Sequence, residues 1–190
     1  MCVIGSNGGV LDFTKAIALR DCKVIFNGVT LSWPNTNYNG IQHISSVEYI
    51  SCLIKGMPFL YGENEVFTDC TFEQTSGEAY NLWTYGAKNV EFNSCTFNCA
   101  GKSVLIYNEG TLTEESVSFK NCNFQASSPA KGKAAIEIDS RFTEYVIDIS
   151  EDTTSTGFDN GSQSGNTLWN VKSQAKSVKI TVGDEIVYQK

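Results

Sequence analysis

Two acids, Glu137 and Asp139, stand two residues apart in the stretch Ile136-Glu-Ile-Asp139. Alternation of that kind places both side chains on one face of a strand, about 7 Å apart along the backbone. Two carboxyl groups so spaced suit inverting glycoside hydrolysis, one protonating the leaving oxygen and the other activating water. The plainer account is a pair of exposed charges at the end of the patterned part of the chain. His43 is the only histidine and has no evident serine or cysteine partner for nucleophilic catalysis. Cys95 and Cys99 form a C-x3-C, but a single histidine leaves a zinc ion without an obvious ligand set. The loop EDTTSTGFDNG has acids, though not at the spacing of a calcium loop. No metal and no cofactor is expected.

Aromatic residues offer a different chemistry, that of binding. They fall in short apolar stretches: Pro58-Phe-Leu-Tyr61, Leu82-Trp-Thr-Tyr85 and Val104-Leu-Ile-Tyr107. If Val104 and Ile106 are buried, Leu105 and Tyr107 point outward. The same register aligns Ala18, Ile41, Phe59, Trp83, Leu105 and Glu137 in one outward column. Arg20, His43, Tyr61, Tyr85, Tyr107 and Asp139 form its neighbour. A ring with a polar edge suits a sugar, because the ring stacks on C–H faces while the edge hydrogen-bonds. Phe59, Tyr61, Trp83, Tyr85, Tyr107 and His43 are therefore the candidate ligand-binding residues, with the loop after Tyr107 as one wall. A one-residue slip turns a strand over and makes the same rings core ladder residues.

These stretches must be held by something regular, and the sequence has it. VEFNSCTF at 90–97 has near-copies: VIFNGVTL at 24–31, VEYISCLI at 47–54, EVFTDCTF at 65–72 and VSFKNCNF at 117–124. The first place is valine except at Glu65. Phe26, Tyr49, Phe67, Phe92 and Phe119 hold the third place, and Val29, Cys52, Cys70, Cys95 and Cys122 the sixth. Cys2 and Ile4 are aligned with the last two places of a still earlier copy. Recurrence every 18 to 27 residues marks stacked repeats. Within a copy the alternation breaks between the third and sixth places, so the strand bends there. Gly28, Ser51, Asp69, Ser94 and Asn121 precede the sixth place, and Gly, Asn and Asp tolerate a left-handed turn. Each copy thus reads as strand, tight turn, strand, with the aromatic stretch as a third strand. Cys52, Cys70, Cys95 and Cys122 become small hydrophobes in a ladder; the alternative for them is a disulfide or metal site. Seven cysteines cannot all pair within one chain. Cys22 and Cys99 are expected in connecting turns, exposed.

The strings VEFNSCTF and VSFKNCNF resemble the second strand, Asn-type turn and third strand of the pectin-lyase-like family. The resemblance covers residues 1–150 and implies an all-β fold, a right-handed parallel β-helix of about six coils. Residues 151–190 are expected to be a polar loop and a C-terminal β-hairpin cap around Gly183-Asp184 within the same domain. The fold hosts lyases, hydrolases, adhesins and phage tail parts, so it does not fix an activity. In that family the groove along this strand face is the usual saccharide site. A lyase would need a basic residue beside acids, and Arg20 lies about 24 Å along the stack from Asp139, at about 4.8 Å per coil. Lys133 is nearer only through an uncertain loop. The reading is a non-catalytic β-helix module, adhesive or carbohydrate-binding, with a glycan or host-surface ligand as partner. The alternatives are a small or partial glycoside hydrolase or lyase using Glu137 and Asp139, or a structural spacer. With a net charge of −7 and only two arginines, no basic stripe to meet phosphates appears, and no nucleic-acid partner is expected. No apolar run is long enough to span a membrane. The resemblance and the Asn/Ser/Thr-rich style imply an extracellular or bacterial-surface setting, and a piece of a longer chain.

Overall fold

A computed structural model describes residues 1–5, 8–108, 114–128, 130–141, 144–159 and 166–190. Its described residues hold strands and turns and no helix, so none is long and apolar enough to cross a membrane. The strands visit three sheets in rotation. One sheet has nine strands and the other two have seven each. Every neighbouring pair is parallel and one rotation apart in the chain, except the last hairpin. This is a solenoid-like stack around an apolar interior.

The octapeptide accounts for one corner of the stack. In one rotation, Asn89–Asn93 lies in the first sheet and Thr96–Cys99 in the second. Ser94 turns the chain between them at φ 54°. Ser51, Asp69 and Asn121 repeat that left-handed turn at φ 50°, 53° and 52°, and Gly28 at 65°. The turn re-aims the alternation, so Val90, Phe92, Cys95 and Phe97 are all buried. In-register pairing then stacks like on like: Phe67, Phe92 and Phe119 lie 5.0 Å apart ring to ring, and Phe72, Phe97 and Phe124 4.6 and 4.5 Å.

Two expectations about register change. Cys2 pairs with Val24 and Ile4 with Phe26, so they hold the first and third places of their copy, not the sixth and eighth. Leu11, paired with Leu31, holds the eighth. An apolar pair two apart looks the same in either strand, and the longer connection to residue 10 hides the difference. Stacking also runs on past residue 150. Thr154–Thr156 joins the second sheet, Trp169–Val171 the third and Val178–Val182 the first. Glu185–Gln189 then folds back antiparallel through Gly183, whose φ is 58°.

Candidate functional site

The third sheet positions the aromatic stretches. Leu82, Val104 and Ile136 face the interior, as do Thr84, Ile106 and Ile138. Trp83 therefore stacks between Phe59 and Leu105 on the outside, and Leu105 on Glu137. Beside this column, Tyr85 and Tyr107 stack with ring centroids 6.0 Å apart. The aromatic column is thus outward, as the alternation requires.

Outward is not the same as exposed. Phe59 is 1% exposed, and Leu105 and Tyr107 are buried too. The connections at 34–39 and 75–81 fold across the sheet and bring Tyr38 and Tyr80 over it. Tyr38 packs on Phe59 and Tyr85 at 5.7 and 5.4 Å, and Tyr80 meets Trp83 edge-on at 6.1 Å. Phe59 and Trp83 stack at 4.8 Å. Met57, Phe59 and Ala79 form a small second core, with Tyr61, Tyr80, Trp83 and Tyr85 half-buried around it. Tyr38, by contrast, is 52% exposed. Residues 109–113 of the expected wall after Tyr107 lie outside the described residues.

The first strands of the column are shifted by one residue. Ile41 pairs with Leu60 and is buried, and Gly40 takes the outward place beneath Phe59. The choice has a steric cause. A Cβ on residue 40 would lie 1.9 Å from the Phe59 carbonyl oxygen, so only glycine fits. Gln42, aligned with Ala18 by the pairing, therefore precedes Tyr61 in the second column where His43 was expected. His43 lies past the strand at φ 60°, exposed, and lines an open cavity of about 620 Å³ with Asp21, Tyr61 and Glu63. A second cavity of about 310 Å³ adjoins Trp83 and is lined by Asn35, Asn37, Glu78, Tyr80 and Lys102. Lys102 donates to the Glu78 carbonyl at 2.9 Å and lies 5.8 Å above the Tyr80 ring. The Trp83 Nε1–H is buried without an acceptor among the described residues.

The two acids differ from expectation as well. Because Trp169–Val171 stacks on Ile136–Ser140, Glu137 is not at an end and is 0% exposed. It touches Lys172, and Lys133 lies 3.9 Å away. Asp139 is held by Arg141 through two contacts of 3.2 Å and by Gln174 at 3.1 Å. Both carboxylates are thus committed to cationic partners. Cys99 is buried rather than exposed, and burial pushes its thiol up to about 11. Cys22 is half-buried against the core. All seven cysteines are thiols, and no cluster of three or more metal-ligating side chains occurs among the described residues.

Two interior acids were not singled out as functional. Glu65 sits between Val47 and Val90 inside the stack, where it accepts the Gly62 N–H at 2.8 Å. Glu115 accepts from Asn108 and faces Tyr145 across the sheet. Burial pushes each carboxyl up to about 7. The only signal in the sequence was Glu65 at a valine place. No family model, no curated protein and no solved structure matches the chain.

Proposed function

We propose that this chain is a right-handed parallel β-helix of the pectin-lyase-like kind that acts as a non-catalytic, saccharide-binding module. Handedness follows the strong preference of parallel crossovers for the right-handed path. The observation carrying the binding reading is the half-buried group Tyr61, Trp83 and Tyr85, packed outside the interior around its own small core. Such a surface presents ring faces to C–H groups, and the flanking Asn35, Asn37 and Lys102 offer donors and acceptors. The hydrolase alternative draws no support from Glu137, since a general acid must reach substrate and this one is buried among lysines.

A glycan array followed by calorimetry on the hits tests the reading. Trp83→Ala should abolish binding. Trp83→Phe keeps the stacking on Phe59 and should weaken binding several-fold through loss of ring area. Undiminished binding by both variants would sink the assignment to this face. One observation favours a structural spacer instead, namely that loops cover Phe59 almost completely. A spacer binds nothing on the array.

A further inference from the structure

Beyond the aromatic rings, at the other end of the same sheet face, an amine, an amide and a carboxyl group meet. Three nitrogens converge on Oε2 of Glu137: Asn170 Nδ2 at 3.2 Å, Lys133 Nζ at 3.9 Å, and Lys172 Nζ in direct contact. Oε1 of the same carboxylate accepts the Ala134 N–H at 2.7 Å. The register brings the amide and the carboxyl group together. Asn170 stacks directly on Glu137 in the outward column. Lys133 precedes Glu137 by one turn of loop, and its backbone bridges to Asp159. Glu137 and Asn170 are both buried, while the two lysine side chains are each 24% exposed.

We propose that Lys133 and Asn170 condense into an intramolecular isopeptide bond, with Glu137 carrying the proton. Glu137 takes a proton from the Lys133 ammonium, which frees the Nζ lone pair. Nζ attacks Cγ of Asn170 and forms the new C–N bond. The Cγ–Nδ2 bond breaks with its electron pair moving to nitrogen, and Glu137 returns the proton there. The second proton lost from Nζ follows, so ammonium departs and Glu137 ends as it began. Charge and atoms balance, and neither oxidant nor co-reactant is required. A buried carboxyl group 3.2 Å from the amide and 3.9 Å from the amine supplies proximity and proton transfer together.

Lys133 is the better nucleophile of the two lysines. Lys172 is already locked in direct contact with the carboxylate. Burial lowers the Lys133 amine below the ordinary lysine range, and the neighbouring Lys172 charge adds to the effect. The bond would close a loop containing strands Ile136–Ser140, Glu144–Ile149 and Thr154–Thr156, tying two successive rotations of the stack.

Intact-mass measurement on the denatured full chain decides the matter independently of any ligand. The expected mass is lower than that of the sequence by one ammonia, with a branched Lys133–Asn170 peptide after digestion. Lys133→Arg keeps the charge and Glu137→Gln keeps the shape, and both should retain their full masses. An unreduced mass for the unaltered chain overturns the proposal whatever the variants do. So does loss of ammonia without a branch, which would be a cyclised asparagine. A branch through Lys172 overturns the choice of nucleophile.

Discussion

Along the corner between the first and second sheets, each thiol bonds to the rotation before it. Cys52, Cys70, Cys95 and Cys122 lie 3.4 to 3.5 Å from the carbonyl oxygens of Phe26, Tyr49, Phe67 and Phe92. Across the outer face of the third sheet nothing repeats so evenly. Gly40, Phe59, Trp83, Leu105, Glu137 and Asn170 follow one another in a single column, and Trp83 leaves a buried donor without an acceptor among the described residues. A column that satisfies itself has no use for a ligand. A column that changes chemistry at every step has been shaped by something other than stacking.

The largest expected effect tests whether the two regions differ in kind. Phe97 is fully buried, stacked between Phe72 and Phe124 and edge-on to Phe92 and Phe119. Phe97→Ala should cost about 3–5 kcal/mol, the range for truncating an aromatic core residue. Trp83→Ala opens a half-buried site whose neighbours can close in, and should cost less than half of that. Urea unfolding of the two variants gives the comparison. Equal losses would make the outer cluster a second core of the same rank and remove the reason to look for a ligand there.

An effect of intermediate size comes from the acids inside the stack. Glu65 and Glu115 have carboxyls raised from an ordinary 4.5 to about 7 by burial. Each therefore keeps its proton in the folded state at a pH where the unfolded chain has lost it. The stabilisation is complete below pH 4.5, declines as pH rises towards 7, and is gone above it. Each group contributes roughly 3 kcal/mol across that window. Urea midpoints should fall between pH 4.5 and 8, and Glu65→Gln should remove about half of the fall. A slope that Glu65→Gln leaves intact would show that this carboxyl escapes to water and that the interior is looser than the stacked rings suggest.

The corner was legible in advance and the outer face only partly so, for a physical reason. A ladder repeats its demand for one residue type in every rotation, so VEFNSCTF and its copies display the turn, the burial and the register together. The outer column makes a different demand each time. Its direction could be read from alternation around Val104 and Ile106, but its covering could not. Tyr38 and Tyr80 reach Phe59 and Trp83 from loops with no pattern of their own. The displacement of His43 depended on Gly40, whose role rests on one contact with the Phe59 carbonyl. Glu137 looked terminal because the strands beyond it, Thr154–Thr156 and Trp169–Val171, are three residues each and the first carries no apolar residue. Its neutralisation by Lys133 and Lys172 required knowing that those strands stack.

The smallest expected effect concerns why the corner uses cysteine at all. Val29 holds the same place at one end, so packing alone does not demand sulfur. At the other end stands Thr153, whose hydroxyl lies 3.2 Å from the Phe119 carbonyl, the position the thiols occupy on their own neighbours. The adjoining thiols of Cys122 and Cys70, and then burial, push Cys95 up, so it remains a protonated donor rather than a nucleophile. If the hydrogen bond selects the residue, Cys95→Thr should be almost neutral, while Cys95→Val should cost about 1 kcal/mol by leaving the Phe67 carbonyl one donor short. If instead the valine variant is the more stable of the two, the thiols are chosen for volume. The corner and the outer face would then differ only in regularity, since neither column would owe its residues to the polar bonds it makes.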